Sequence, residues 1–112
     1  MNISTGNFES VEQLIISEAL RIQAINFHSS MNLMLVVLNT GTVIRVRISR
    51  YPRLAKADMA QLEHYKLLSG GRRAHWPGLD EDLSLKGFLV ELLREQLVGT
   101  WHGARTDLRT NG

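Results

Sequence analysis

Residues 75–84, which run from His75 to Ser84 with the sequence HWPGLDEDLS, decide the fold of this chain. They combine a tryptophan, a Pro77-Gly78 pair, a run of three carboxylates and a serine directly ahead of an apolar helical pattern. Adjacent proline and glycine are typical of a turn. The segment therefore predicts a turn into the final helix, and the residues before it are predicted to form a short helix and a sheet on which that helix closes.

The predicted C-terminal helix begins at Ser84 and carries the longest apolar stripe of the chain. That stripe consists of Leu85, Phe88, Leu89, Leu92, Leu93 and Leu97. Asp80, Glu81 and Asp82 lie just ahead of the helix, where the positive end of its dipole favours carboxylates. We therefore expect this acidic run to be primarily a helix start, with Asp82 or Ser84 as the cap. Trp76 is expected to fill the edge of the core.

The chain ahead of this segment changes its hydrophobic period from helical to alternating. A first helix is predicted from Ser10, which fits a capping box with Gln13. Three strands are predicted to follow, over residues 22–27, 31–38 and 42–50. Gly41 supplies the turn chemistry that joins the second and third strands as a hairpin.

The alternation within these strands predicts which faces they bury. Both alternating sets of the second strand are apolar, so this strand is predicted to be covered on both faces. In the third strand Ile44, Val46 and Ile48 are predicted to face inward. Arg45 and Arg47 then face outward, which indicates a half-exposed strand with a basic outer row.

Proline, aspartate and glycine residues mark the remaining boundaries. Pro52 ends the third strand, Asp58 caps a short helix, and residues 73–76 are predicted to form a last short strand. The chain becomes polar and rich in glycine and threonine beyond Val98. Residues 99–112 are therefore predicted to form a flexible tail.

Length and composition indicate one ordinary globular domain. The chain has 112 residues, of which 44% are hydrophobic and 21% charged. It contains no cysteine, which excludes disulfides and cysteine-bound zinc and suits a reducing cytoplasm. The longest apolar run is far shorter than the roughly 20 residues of a membrane-spanning helix, and the N-terminus lacks a secretory pattern. We therefore expect a cytoplasmic protein.

A wider set of residues resembles a known family. The matching positions are Tyr51-Pro52-Arg53-Leu54, Gln61-Leu62, Tyr65, Gly70-Gly71 and the whole of residues 75–84. Together they are similar to the signature of the bacterial domain of unknown function family 2442, over residues 22–93. The resemblance implies an α+β domain with a small antiparallel sheet and flanking helices, and it implies no established activity. Some relatives carry a helix-turn-helix, and others are encoded beside a small partner in pairs that resemble toxin-antitoxin modules.

The chain departs from the family pattern in two ways. The residues after Val98 are too few to form a helix-turn-helix, which removes the strongest family argument for DNA binding. Arg72-Arg73-Ala74 replaces the usual small and aliphatic residues after the glycines. The second departure leaves a local basic pair without an explanation.

The acidic run and the histidines also suggest chemistry other than helix capping. Asp80, Glu81 and Asp82 with His75 are ligand types that suit a divalent cation, but adjacent residues on a tight turn rarely converge on one ion. General acid-base catalysis would use His64, His75 or Glu81, yet no nucleophile motif or phosphate-binding loop accompanies them. We therefore expect no cofactor, no metal site and no catalysis, with a metal-dependent hydrolase as the alternative.

The basic residues suggest a binding surface. The candidates are Arg45, Arg47, Arg50, Arg53, Arg72 and Arg73. A second candidate set is the signature turn, with His75, Trp76, Pro77, Asp80, Glu81 and Asp82. Arginines on an exposed strand would suit phosphates, but only Tyr51 interleaves as a stacking aromatic. Arginine is equally typical of protein interfaces.

We therefore predict an α+β protein with a small antiparallel meander of three to four strands, flanking helices and an amphipathic C-terminal helix packed on the sheet. Residues 1–20 are predicted to be an N-terminal extension with a short helix, 21–98 the single domain and 99–112 the tail. The predicted function is a binding module, antitoxin-like or regulatory, that acts through a small protein partner encoded by an adjacent gene. Weak nucleic-acid binding through the arginine-rich strand is the alternative. A homodimer stays open, and no membrane association is expected.

Overall fold

The computed structural model describes residues 7–99. Four α-helices and six strands form within this range. The helices are α1 (Asn7–Ser17), α2 (Pro52–Ala55), α3 (Met59–Glu63) and α4 (Leu85–Arg94), and a π-helical turn over Glu95–Gly99 extends the last of them. The strands are β1 (Ile22–His28), β2 (Leu33–Leu38), β3 (Val43–Arg47), β4 (Lys66–Leu68), β5 (Arg73–Trp76) and β6 (Glu81–Ser84). None of these helices is long and apolar enough to cross a membrane.

The strands form two antiparallel sheets in which each strand pairs with the next along the chain. The first sheet has the order β1-β2-β3 and the second the order β4-β5-β6. The predicted α+β class, the antiparallel meander and the C-terminal helix are confirmed. The difference is that a second sheet exists, because residues 66–68 and 81–84 pair on either side of the predicted strand at residues 73–76. Both added strands are short, with three and four residues, so they carry little periodic signal.

A single core joins the two sheets. The largest fully buried side chains are Trp76, Phe88, Met34, Ile44, Leu54, Leu62, Leu85 and Val36. They come from both sheets and from α2, α3 and α4. Trp76 is therefore in the core, as predicted, and the inward set of β3 is confirmed by the burial of Ile44 and Val46.

An aromatic cluster connects the sheets at one end of the core. The ring of Trp76 lies 6.4 Å from that of Phe27 and 6.0 Å from that of Tyr65. The Tyr65 hydroxyl accepts a hydrogen bond from the Ile25 amide at 2.9 Å and lies 3.4 Å from the Ile25 carbonyl oxygen. One tyrosine thereby packs in the cluster and also satisfies the outer edge of β1.

Two predicted helix caps have different outcomes. The prediction for Asp58 is confirmed: its carboxylate accepts from the Gln61 amide at 2.8 Å, and the Gln61 side chain accepts from the Asp58 amide at 3.0 Å. The capping box at Ser10 is wrong, because α1 begins at Asn7 and Ser10 lies inside it. A cap prediction succeeds only where the chain is extended ahead of the helix.

The prediction that the acidic run is primarily a helix start is wrong, whereas Ser84, one of the two predicted caps, is confirmed. Glu81 and Asp82 belong to β6, and Asp80 occupies the turn before it with φ of 52°. The cap of α4 is Ser84, whose Oγ accepts from the Gly87 amide at 3.0 Å. The helix start was therefore predicted correctly, and the carboxylates were assigned to the wrong element.

The prediction that β2 is covered on both faces is also wrong for the described residues. Met34, Val36 and Leu38 are buried, whereas the alternate set is only half-buried. The first sheet therefore has one face in the core and one face open to solvent. The predicted tail lies outside the described residues, apart from Gly99.

Candidate functional site

Two of the predicted arginines are held by carboxylates of the same chain. The Arg50 guanidinium lies 3.0 Å from the Glu91 carboxylate and 3.6 Å from that of Glu95. Glu91 lies in α4, and Glu95 begins the π-helical turn that follows it. Arg73 lies 2.8 Å from Asp82 on the neighbouring strand. This contact also raises the pKa of Arg73, through its hydrogen bond to Asp82 first and the negative charge second. Their charges are therefore largely neutralised within the fold.

Arg53 has a structural role as well. Its guanidinium donates to the main-chain carbonyl of Asp80 and lies 3.7 Å from the Asp80 carboxylate and 4.0 Å from that of Glu81. It thereby fastens α2 to the turn that precedes β6. Arg72 is exposed beside the second sheet, and the ion pairs of residues 7–99 do not include it.

The remaining two arginines, Arg45 and Arg47, lie together on an exposed face. Both side chains are exposed on β3, and no ion pair within the described part of the chain reaches either of them. Antiparallel pairing places Leu35 directly opposite Arg45 and Leu33 directly opposite Arg47. Two free positive charges therefore border a row of leucines.

We call the solvent side of the first sheet the outer face. It consists of Ala24, Asn26 and His28 from β1, Leu33, Leu35 and Val37 from β2, and Val43, Arg45 and Arg47 from β3. None of these nine residues is acidic. The outer face thus presents an aliphatic central row with two cations along one side.

Sequence reasoning missed the aliphatic row of the outer face. Leu33, Leu35 and Val37 were assigned to a covered face because every residue of β2 is apolar. Alternation in the two flanking strands is the signal that locates them, since Asn26 and Arg45 stand on either side of Leu35. A central strand shares the faces of its neighbours, so polar residues on both sides indicate the solvent face.

A groove of about 220 Å³ runs between β3 and α4. It is bordered by Val46 on the strand side and Leu92 on the helix side, with the Arg50 and Glu91 ion pair beside it. Tyr51 packs edge-on against Phe88, with ring centroids 6.4 Å apart. Burial raises the pKa of the Tyr51 phenol above its ordinary value, and the nearby Glu91 carboxylate adds to this rise. The phenol therefore stays neutral through the physiological range.

The residues of the signature turn support the fold rather than form a binding site. Trp76 is in the core, while Pro77 is exposed in a short helical turn. His75 lies opposite Asp82, but its Nδ1 is 3.9 Å from the carboxylate and makes no hydrogen bond among the described residues. The turn therefore positions a core residue and the strand β6.

The residues that were considered as catalytic or metal-binding candidates are not brought together. No cluster of three or more potential metal ligands occurs among residues 7–99. His75 and Glu81 lie on adjacent strands of the second sheet, whereas His64 follows α3 and is exposed. The outer face, with Arg45 and Arg47, is the surface of the described chain that best suits binding.

Comparison with known families returns a match that covers most of the described residues. The family model described as "Protein of unknown function (DUF2442)" matches residues 22–92. The search of curated proteins returned no match.

Two solved structures are similar to this fold. A crystal structure of a protein of unknown function from Rhodospirillum rubrum ATCC 11170 shares 28% identity, covers 64% of this chain and 87% of its own, and has a TM-score of 0.57. A solution NMR structure of an uncharacterized protein from Chromobacterium violaceum shares 19% identity, covers 80% of this chain and 82% of its own, and has a TM-score of 0.59. The second likeness concerns the fold alone.

Proposed function

Because this chain belongs to the family described as "Protein of unknown function (DUF2442)", we propose its role from its own surface: it is a binding module that acts through a protein partner. The partner docks on the outer face. The role is antitoxin-like or regulatory, since the family resemblance includes relatives encoded beside a small partner protein.

The observation that carries the proposal is the combination of an aliphatic row with two arginines that have no ion pair among residues 7–99. Protein interfaces combine apolar contacts with arginine side chains, and arginine is enriched among the residues that contribute most to the binding energy. Leu33, Leu35 and Val37 offer the apolar part, and Arg45 and Arg47 offer the charged part. Covering this face with protein would bury the aliphatic row and pair both charges.

Nucleic acid fits the outer face less well. Phosphates would pair with Arg45 and Arg47, but single strands also require aromatic platforms on which bases stack. The nine residues of the outer face include no phenylalanine, tyrosine or tryptophan. A nucleic acid would therefore leave the aliphatic row uncovered.

The test is co-expression with the product of the gene adjacent to its own, followed by co-purification and titration calorimetry. Arg45→Glu with Arg47→Glu should weaken the complex at least tenfold, because the two introduced glutamates repel the carboxylates of an acidic partner. Lys56→Glu with Arg72→Glu is the matched control, since it changes the net charge equally at two exposed sites off the outer face. Equal weakening by both variants, or no complex with the wild type, would overturn the proposal.

The same variants test the nucleic-acid alternative. If duplex DNA binds through two phosphate contacts, its affinity should fall with salt. A plot of log affinity against log salt concentration should then be steeper for the wild type than for the arginine variant by about two units. Duplex binding with this behaviour, combined with no effect on the protein complex, would favour nucleic acid instead.

A further inference from the structure

The outer edge of β3 has main-chain groups that find no partner among residues 7–99. The Leu38 amide donates to the Thr42 carbonyl at 2.8 Å, and the Ile48 amide donates to the Asn32 carbonyl at 3.2 Å. Hydrogen-bonded pairs alternate along an antiparallel ladder. Ile44 and Val46 therefore bond to β2, and the main-chain groups of the three residues between and beside them point away from it.

Those outward residues are Val43, Arg45 and Arg47. No hydrogen bond within residues 7–99 reaches their outward amides or carbonyls, apart from the ladder itself. An unpaired strand edge of this kind is a template for another strand. The groove between β3 and α4 is lined by Val46 and Arg47 of this strand, so it lies next to the edge.

Each other sheet edge of the described chain is short or carries a side-chain hydrogen bond at or beside it. The outer edge of β1 is bonded at Ile25 by the Tyr65 hydroxyl. The outer strand of the second sheet, β4, has only three residues. At β6, Arg53 binds the Asp80 carbonyl in the turn directly before the strand. The edge of β3 is thus the longest one that no side chain guards in this way.

Charge determines which strand fits the edge. In a second copy paired symmetrically on Arg45, that residue would face its own counterpart, and like charges directly opposite destabilise a sheet. The segments outside the described residues do not supply the complement either. Residues 1–6 contain no acid, and residues 100–112 contain Arg105 and Arg109 against a single Asp107. An acidic complement to both arginines is therefore expected from a different protein.

We propose that β3 accepts an extended acidic segment of a protein partner as a fourth, antiparallel strand of the first sheet. Its carboxylates occupy alternate positions opposite Arg45 and Arg47. The intervening side chains are apolar and lie on the core side of the added strand, next to Leu92. The inference rests on the proposed function and specifies how the partner docks.

The dimensions set the length of the segment. Five residues of β3 span about 14 Å between the first and last Cα atoms. Because β3 has five residues, an added strand of about five to seven residues matches the whole edge. Residues directly opposite in a hydrogen-bonded antiparallel pair exchange both of their main-chain bonds. The amides of the acidic residues, rather than those of the apolar residues, then donate to β3.

The probe is a blocked synthetic peptide of alternating glutamate and valine, seven residues long, titrated into the full chain. Amide hydrogen exchange followed by NMR should show at least tenfold slower exchange at Val43, Arg45 and Arg47 when the peptide is bound. Ile44 and Val46 serve as internal controls, because their amides already bond to β2 and should not change.

Two modified peptides form a matched pair. N-methylation of the glutamates removes the donors that face β3 and should weaken binding at least tenfold. N-methylation of the valines removes donors that point away from β3 and should leave binding within a few-fold of the parent peptide. Equal effects of the two modifications would overturn strand addition.

The outcomes separate this inference from the proposed function. If Arg45→Glu with Arg47→Glu abolishes the complex with the adjacent gene product while the edge amides stay unprotected, the partner covers the outer face without adding a strand. That result overturns the inference and leaves the proposed function standing. Protection of the edge amides that rises with protein concentration, in the absence of peptide, would mean that a second copy is the occupant and would overturn the inference too.

Discussion

At the scale of single residues, Trp76 has the most connections. Its side chain is fully buried, and its indole Nε1 donates to the Leu62 carbonyl at 2.8 Å. The ring also meets Phe27 edge-on from the first sheet. One residue therefore satisfies a main-chain carbonyl at the end of α3 and fills the space between the sheets.

We expect Trp76→Ala to lower the free energy of unfolding by about 3 to 5 kcal/mol, because it leaves a large cavity and an unpaired carbonyl. Trp76→Phe retains much of the volume but not the donor, so it should fall between the wild type and alanine. Denaturant melts measure both. A loss below about 0.5 kcal/mol for the alanine variant would match a surface position and contradict the role of Trp76.

At the scale of elements, the boundary between β6 and α4 shows where local signals suffice and where they do not. The helix start at Ser84 follows from a hydroxyl ahead of an apolar stripe, which is a local pattern. The strand Glu81–Ser84 does not, because aspartate and glutamate are poor strand formers and its pairing depends on β5. Capping chemistry and strand pairing compete for the same acidic residues, and only the tertiary register decides between them.

We expect Ser84→Ala to cost about 1 kcal/mol of stability, because the Gly87 amide loses its acceptor. Ser84→Thr keeps a hydroxyl and should cost less than alanine. Asp82→Asn breaks a partly exposed ion pair with Arg73 and should cost no more than about 1 kcal/mol.

Thermal and denaturant melts at low and high salt distinguish the two contributions. The effect at Asp82 should shrink as salt screens the ion pair, whereas the effect at Ser84 should persist. A salt-independent loss at Asp82 larger than that at Ser84 would indicate that the carboxylate, not the serine, is the cap.

At the scale of the whole molecule, the two sheets meet where β1 approaches the turn after β4. Gly71 has φ of 93°, and a Cβ atom placed there would lie 2.8 Å from the Ile22 carbonyl oxygen. In the sequence, Gly70-Gly71 stands out only as part of the family pattern. The closeness of two main chains from different sheets cannot be seen in either segment alone, because it depends on how the sheets pack.

We expect Gly71→Ala to destabilise the protein more than Gly70→Ala. Both positions have positive φ, so alanine is strained at each by about 1 to 3 kcal/mol. At Gly70, however, the nearest atom to a new Cβ is the end of the Arg21 side chain at 3.7 Å, which is an ordinary contact. The free energies of unfolding of the two variants, measured by denaturant melts, should therefore differ by the cost of moving the two sheets apart at Gly71. Equal losses would mean that the backbone at Gly71 relaxes without disturbing Ile22.

The Tyr65 hydroxyl on the edge of β1 has a consequence for how far the first sheet is able to grow. Fibrous polymerisation by strand addition requires two open edges, one to receive a neighbour and one to offer itself. With Ile25 already bonded by Tyr65, a strand added at β1 would first have to displace the tyrosine from the middle of that edge. The first sheet should therefore extend at β3 in preference to β1, which disfavours growth from molecule to molecule.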